Sequence, residues 1–398
     1  MASVAGDEVV AEMAARRADR DLVATVMGRG PRRAMLVGPL SLAEAQAVRK
    51  AAQDAGAMAV MAKVAGRADP SRADLLVMGS MEELAAAAAA VQGEVGERME
   101  AARRSFAAPV RRTLRCQERE LRLGQKTLVM GIVNVTPDSF SGDGLGANAE
   151  AAIAQGRRMV AEGADLLDVG GESTRPGSEP VGEEEELGRV LPVVEGLAAE
   201  LDVPISIDSY KSAVVRAALA KGASMVNDIS GLHADEAVAQ AAAEAGAAVV
   251  VMHIQGTPRD MQKDPKYADV IGEIGEYLEE GIAVARAAGV GEDQIVVDPG
   301  IGFGKTLEHN LEILRRLREL RCLGCPVMVG TSRKSMIGTI LSLPVGERVE
   351  GTAATVALAV AGGADIVRVH DVKEISRVAR VADAIVRVEH ELRDSAEA

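Results

Sequence analysis

Short apolar runs in the second part of the chain lead into side chains that can ionise or bind. TLVMGIV leads into Asn134, DLLDVG carries Asp168 and is followed by Glu172, PISID ends in Asp208, and SMVND contains Asn227 and Asp228. AAVVVMH ends in His253 and QIVVD in Asp298. PVMVG runs into Thr331, Ser332, Arg333 and Lys334, and ADIVRVH supplies Arg368 and His370 before Asp371. Any one such residue reads as a helix cap or a turn. Eight in succession exceed what capping needs. A ring of carboxylates, amides and ammonium groups suits a polar heterocycle with several donors and acceptors. Unpaired in an interior, each group would cost about 1–3 kcal/mol, so a ligand or water must meet it. No Ser-His-Asp or Cys-His arrangement stands out, and no covalent nucleophile is indicated.

These runs are continuous rather than alternating, as in parallel strands covered on both faces. Helical patterns such as AEAAIAQGRRMVAEGA, SAVVRAALAKGA and LEHNLEILRRLREL separate them. Eight near-equal units match a (β/α)8 TIM barrel, which takes about 250 residues and carries its site at the C-terminal strand ends. A doubly wound open sheet is the competing arrangement, and the near-equal units favour closure.

The preceding part, residues 1–115, reads as a small α+β module of unknown role. It holds strand-like RRAMLVGPL, MAVMAKV and ADLLVMG. Ser41 with Glu44 and Ser80 with Glu83 form two capping boxes. The second opens an Ala-rich helix expected to run through MEELAAAAAAVQGEVGERMEAARRSF. RRTLRCQERELRLGQK reads as a charged linker to the barrel domain, residues 116–398.

Composition sets the wider limits. The 398 residues are 48% apolar and 26% charged, the balance of a globular chain, with a net charge of -14. That charge argues against nucleic acid or an anionic membrane as the main partner. Aromatics are only 2%, so the cores must be aliphatic. The first residues, charged from Asp7 onward, have no apolar signal-peptide region, and no uncharged stretch is long enough to cross a bilayer. Three cysteines are too few for a disulfide scaffold. A cytoplasmic protein is expected.

From about Gly124 onward the chain resembles the dihydropteroate synthase family. The segments carrying the resemblance are MGIVNVTPDSFSGDG (130–144), DVGGESTRPGS (168–178), SIDSYK, VNDISG, VMHIQGTPRDMQ, DPGIGFGK, GTSRKSMIG and RVHD, in that order. The resemblance implies condensation of (7,8-dihydropterin-6-yl)methyl diphosphate with 4-aminobenzoate, giving dihydropteroate and pyrophosphate in folate biosynthesis. It implies that Asp208, Asn227, Asp298 and Lys334 hold the pterin, and that Arg368 and His370 bind the departing pyrophosphate, His370 as an imidazolium. It also implies Mg²⁺ on Asn134, in keeping with a hard cation that takes few protein oxygens. Loops carrying Asp138, Phe140, Thr174, Arg175 and Pro176, with Ser332, would form the 4-aminobenzoate pocket, and Phe303 would pack against a ring. A helix-mediated homodimer is implied. Ser209 stands where the family more often has Thr, and SGDG where SDGG is frequent.

Two other readings compete: the pterin-binding barrel of a methyltetrahydrofolate–corrinoid methyltransferase, and a catalytically silent pterin-binding protein. Neither has a use for STRPG, SRKS and RVHD together. GIGFGKT is not a Walker A loop, because its first required glycine is Pro299. Cys322 and Cys325 have CxxC spacing without a second pair, which suggests a turn. Arg175, Arg333, Lys334, Arg368 and His370 fall at strand ends, and the site is expected to carry the opposite sign to the surface.

Overall fold

The computed structural model describes residues 33–62, 72–105, 112–135, 145–174 and 177–387. The chain divides into two compact units, Met1–Pro109 with Arg318–Gly324, and Val110–Leu317 with Cys325–Ala398.

In the smaller unit, strands β1 (Arg33–Ser41), β2 (Met58–Ala62) and β3 (Arg72–Gly79) form an antiparallel sheet in the order β1-β3-β2. Both expected capping boxes form. Ser41 and Ser80 each accept the backbone N–H three residues on, and Glu44 and Glu83 reach back to the cap N–H. Met35, Leu75, Val77, Val48, Leu84 and Met99 fill an aliphatic core beneath the sheet. The segment read as one Ala-rich helix is two, Met81–Ala90 and Glu94–Ser105. The chain turns at Gly93, whose φ of 74° lies in the left-handed region that glycine adopts without a Cβ penalty.

The segment read as a linker is a β-hairpin of β4 (Arg112–Cys116) and β5 (Arg119–Leu123). Its alternating side chains bury Leu114, Cys116 and Leu123 against the floor of the larger unit, beside Leu128, Met130, Leu166, Met225, Val250, Val296, Met328 and Ile366. Gln117 at its turn donates from its backbone to Gly246 O and from its side chain to Ala223 O, and Arg115 pairs with Asp293 at 3.0 Å. Burial pushes the Cys116 thiol up to about 12, so it stays protonated.

Above this floor the larger unit is a barrel of eight parallel strands. These are β6 (Leu128–Asn134), β7 (Leu166–Gly170), β8 (Ile205–Asp208), β9 (Met225–Asp228), β10 (Ala248–Met252), β11 (Ile295–Asp298), β12 (Met328–Val329) and β13 (Ile366–Val369). The sheet order is β11-β10-β9-β8-β7-β6-β13-β12, and a parallel bridge between Val297 and Val327 closes it. Each strand is one of the eight apolar runs, so the expected TIM barrel is what forms. Because successive strand residues point to opposite faces, a residue two places beyond a floor residue faces inward one layer higher. Two places beyond the floor residues Leu166, Met225, Val296 and Ile366 stand Asp168, Asn227, Asp298 and Arg368, and Asp208 stands two beyond the buried Ser206. The strand period alone therefore stacks a polar layer on an apolar one.

Candidate active site

Arg368 is the centre of that polar layer. Its Nε donates to Asp168 Oδ2 at 2.6 Å and its Nη2 to Asp208 Oδ2 at 2.7 Å. Asn227 Nδ2 donates to the same Asp168 oxygen at 3.0 Å. Asp168 Oδ1 and Asn227 Oδ1 are buried without a hydrogen-bond partner among the described residues. Orphaned acceptors on two side chains that are themselves hydrogen-bonded, in a protein interior, call for a ligand that brings N–H donors.

Asp298, also buried, accepts the Gly300 N–H at 2.7 Å, which folds the chain after β11 into a tight turn. Gly300 has φ +65°, and a Cβ there would lie 1.9 Å from His253 O, so only glycine allows this approach. The turn seats Phe303 in an apolar cluster with Ile229, Met252, Ile254 and Met261, on which Tyr210 and Tyr277 pack. Lys334 extends over the Phe303 ring, Nζ 4.1 Å from its centroid.

Electrostatics then decide which of these groups are charged. Asp208 is pushed up to about 7, chiefly by burial, against the pull of Arg368. Burial likewise raises Asp298. Lys334 is lowered to about 8 by burial and by Arg368, although Asp298 and Asp208 favour its charge. His370 falls to about 3, again through burial first and Arg368 second. The imidazolium expected there is therefore a neutral ring. Ser332 Oγ accepts the His370 backbone N–H at 3.1 Å and lies 3.0 Å from His370 Nδ1. That hydroxyl thus ties the ring to its own backbone and fixes its orientation.

The strand ends that carry the expected cations carry acids as well. Three carboxylates, Asp168, Asp208 and Asp298, share the layer with Arg368 and Lys334, while Arg333 turns aside to pair with Asp371. Asp228 is a turn anchor, accepting from Ser230 and Leu232.

Asp208, Asn227, Asp298, Phe303, Ser332, Lys334, Arg368 and His370 line or back this polar layer or stand at adjoining strand ends, as the sequence placed them. Asn134 ends β6, its side chain partly exposed. Thr174 follows β7, also partly exposed. Phe140, Arg175 and Pro176, with Asp138, lie outside the described residues. Two residues without a role in the sequence join the site. Asp168 carries its signal as a lone carboxylate inside an apolar run. Lys305 belongs to GIGFGKT, which fails as a Walker A loop. It is buried, lies 2.8 Å from His253 Nδ1, donates to Phe303 O at 2.9 Å, and burial drives it well below the usual lysine range. His253 is held neutral in turn, lowered to about 2 by burial and by Lys305. Its ring meets Tyr277 edge-on and Tyr267 at a tilt, with centroids 4.8 and 5.9 Å away.

The Cys322–Cys325 segment is a helix-to-strand connection, with Cys322 exposed and Cys325 buried. Among the described residues no three His, Cys, Asp or Glu side chains converge as a metal site, and no helix is long and apolar enough to cross a membrane.

Comparison with known proteins gives concordant findings. Residues 130–370 match the family model described as "Pterin binding enzyme". A dihydropteroate synthase of Synechocystis is 50% identical over 265 residues, covering 66% of this chain and 92% of that protein. The Bacillus subtilis dihydropteroate synthase is 47% identical over 262 residues, covering 66% and 90%. Among solved structures, the Yersinia pestis dihydropteroate synthase in a sulfonamide drug complex is 44% identical, covers 69% of this chain and 98% of that one, and superposes with a TM-score of 0.65. The Xanthomonas albilineans enzyme with 4-aminobenzoic acid gives 44%, 69%, 98% and 0.65.

Proposed function

We propose the residue roles below from one premise: the chain belongs to the pterin binding enzyme family and, within it, to the dihydropteroate synthases. It is a transferase that joins a dihydropterin methyl diphosphate to 4-aminobenzoate and releases pyrophosphate. The observation that carries the role assignment is the pair of orphaned acceptors, Asp168 Oδ1 and Asn227 Oδ1, beside Asp208 and Asp298 in one buried layer.

An aminopyrimidine edge presents parallel N–H donors, which a carboxylate accepts in pairs. Asp298 and Asp208 receive that edge, Asn227 completes the donor–acceptor match, and Lys334 donates to the pterin carbonyl while Phe303 supports the ammonium from below. Arg368 commits Nε and Nη2 to Asp168 and Asp208, and its Nη1 is the edge assigned to the leaving pyrophosphate. His370 contributes a neutral imidazole, oriented by Ser332. Donors aimed at the developing charge lower the barrier to carbon–oxygen cleavage without a covalent step. The aniline, held by Thr174 and Ser332 and, from the loops after the first two barrel strands, by Phe140, Arg175 and Pro176, then attacks the methylene carbon through its nitrogen and gives up a proton to solvent.

Asn134 offers one neutral oxygen at a partly exposed strand end. That suits Mg²⁺ carried largely by its waters and by diphosphate oxygens rather than by a protein cage. When bound there, the ion would neutralise charge on the leaving group.

A homodimer in the cytoplasm completes the reading. Leu358, Val381 and Ile385, 62%, 62% and 74% exposed, give helices Val349–Ala361 and Val372–Val386 an apolar outer face suited to a second copy. Light scattering after gel filtration should give twice the chain mass, reduced to one by Leu358→Glu with Ile385→Glu. For the activity, folded protein with Mg²⁺, dihydropterin methyl diphosphate and labelled 4-aminobenzoate should yield labelled dihydropteroate. Absence of product would sink the roles assigned.

A further inference from the structure

The connection from β7 to helix Glu183–Glu200 carries Thr174, and its two stems are tied by one ammonium group. Lys211 Nζ donates to Glu172 Oε2 at 2.5 Å on the first stem and to Val181 O at 2.7 Å on the second. Its third bond, also 2.5 Å, goes to Glu186 Oε2 in the helix that follows. All three ammonium protons are thus used. Glu172 holds the second stem as well, accepting the Val181 N–H at 3.2 Å, and its other oxygen accepts the Tyr210 hydroxyl at 2.9 Å. Val181 is therefore held at both its N–H and its C=O. Further along, Ser178 Oγ donates to Ser173 O at 2.5 Å across the same connection.

The clamp is buried. The side chains of Lys211, Glu172 and Glu186 are 13%, 7% and 1% exposed. Two carboxylates and one ammonium in such a place cost more to desolvate than apolar packing of the same volume would. An aliphatic contact could close a stem, but it would not fix direction, whereas three bonds from one tetrahedral nitrogen do. Lys211 also stands three residues after Asp208, at the start of helix Ser212–Ala220. The side chain that sets the stems is thereby anchored to the strand that presents a pterin carboxylate.

We propose that Lys211 is a positioning residue for 4-aminobenzoate, tying Glu172 to Val181 so that Thr174 is presented at a fixed place beside the pterin. The inference rests on the reading that Thr174 lines the 4-aminobenzoate pocket. Lys211 touches neither substrate. Its removal loosens one binding site and spares the other.

The test compares Lys211→Met, Lys211→Arg, Glu172→Gln and Thr174→Ala in the full chain. For each, the KM for 4-aminobenzoate, the kcat and the dissociation constant for dihydropterin methyl diphosphate are measured. Lys211→Met should raise the 4-aminobenzoate KM at least tenfold with pterin affinity within twofold, and Lys211→Arg should return it to within threefold of the parent. If Lys211→Met does not fold, Lys211→Met with Glu186→Gln removes one of the stranded charges and should show the same selective rise. Glu172→Gln, which keeps the shape, should give about a fivefold rise. A folded Lys211→Met protein with unchanged 4-aminobenzoate KM overturns the proposal. So does parallel loss of kcat and pterin affinity, the pattern of general structural damage. Thr174→Ala separates the two layers of reasoning. If it leaves the KM unchanged the pocket reading itself fails, and if it raises the KM while Lys211→Met does not, only the clamp fails.

Discussion

Replacing Arg368 with Met should unlock the polar layer in a pH-dependent way. The guanidinium satisfies Asp168 and Asp208 at 2.6 and 2.7 Å, and Asp168 is fully buried. Removing one partner of a buried ion pair costs about 3–5 kcal/mol, because the other charge is stranded. Asp208 escapes that cost by taking a proton. In the parent, Asp208 sits at about 7, raised by burial above its ordinary 3.8, so its ionisation weakens the fold as pH rises from 3.8 to about 7. Without Arg368 its pKa rises further, and the weakening continues above pH 7. Each pH unit is worth about 1.4 kcal/mol, so the deficit of Arg368→Met relative to the parent should grow by about 2 kcal/mol between about pH 7 and pH 8.5. Urea unfolding followed by far-ultraviolet circular dichroism, at about pH 5.5 and about pH 8.5, measures both deficits. Arg368→Lys, a point charge that cannot bridge two carboxylates, should recover less than half of the loss at high pH. A deficit below about 1 kcal/mol at pH 8.5 would refute the buried-pair reasoning, and so would equal deficits at the two pH values.

Other expectations are simpler to check. In the substrate-free protein the His370 ring should show no titration by NMR between about pH 5 and 8; a midpoint near the ordinary 6.5 would contradict burial beside Arg368. Because the His370 and His253 pKa values are depressed, their contribution to stability is complete above about 6.5 and is lost as pH falls below it. Asp298→Asn should weaken dihydropterin binding at least tenfold in calorimetry, since it replaces an acceptor of paired N–H donors with a half-donor; affinity within threefold would remove Asp298 from the pocket. Leu84→Ala should destabilise the small unit by about 2–5 kcal/mol and leave kcat within twofold. A parallel loss of activity would mean that the barrel depends on that unit's fold.

The eight strands and the order of their polar ends were legible because each strand is a continuous apolar run, and a period of two fixes which residues share the inner face. Asp208, Asn227, Asp298 and Arg368 follow from that rule. What depends on pairing in space was not legible. The electrostatics of the site turn on Asp168 joining Arg368, 200 residues apart, and on burial lowering His370 and Lys305. The hairpin Arg112–Leu123 passed for a linker because charge dominates its outer face, yet Leu114, Cys116, Leu121 and Leu123 alternate as a half-buried strand pair must. The break after Ala90 was hidden by the helix propensity of its neighbours, which a single glycine at position 93 overrides.

The sparse aromatic content has an optical consequence. The chain has no tryptophan and three tyrosines, and all three, Tyr210, Tyr267 and Tyr277, stand around His253 and Phe303 at the mouth of the barrel. Ultraviolet emission from this protein therefore originates at one place, with nothing contributed by the first hundred residues. A heterocycle that absorbs at longer wavelength and enters the barrel would drain that light by energy transfer. The unlabelled molecule is thus its own occupancy meter, reading the mouth of the barrel without a probe.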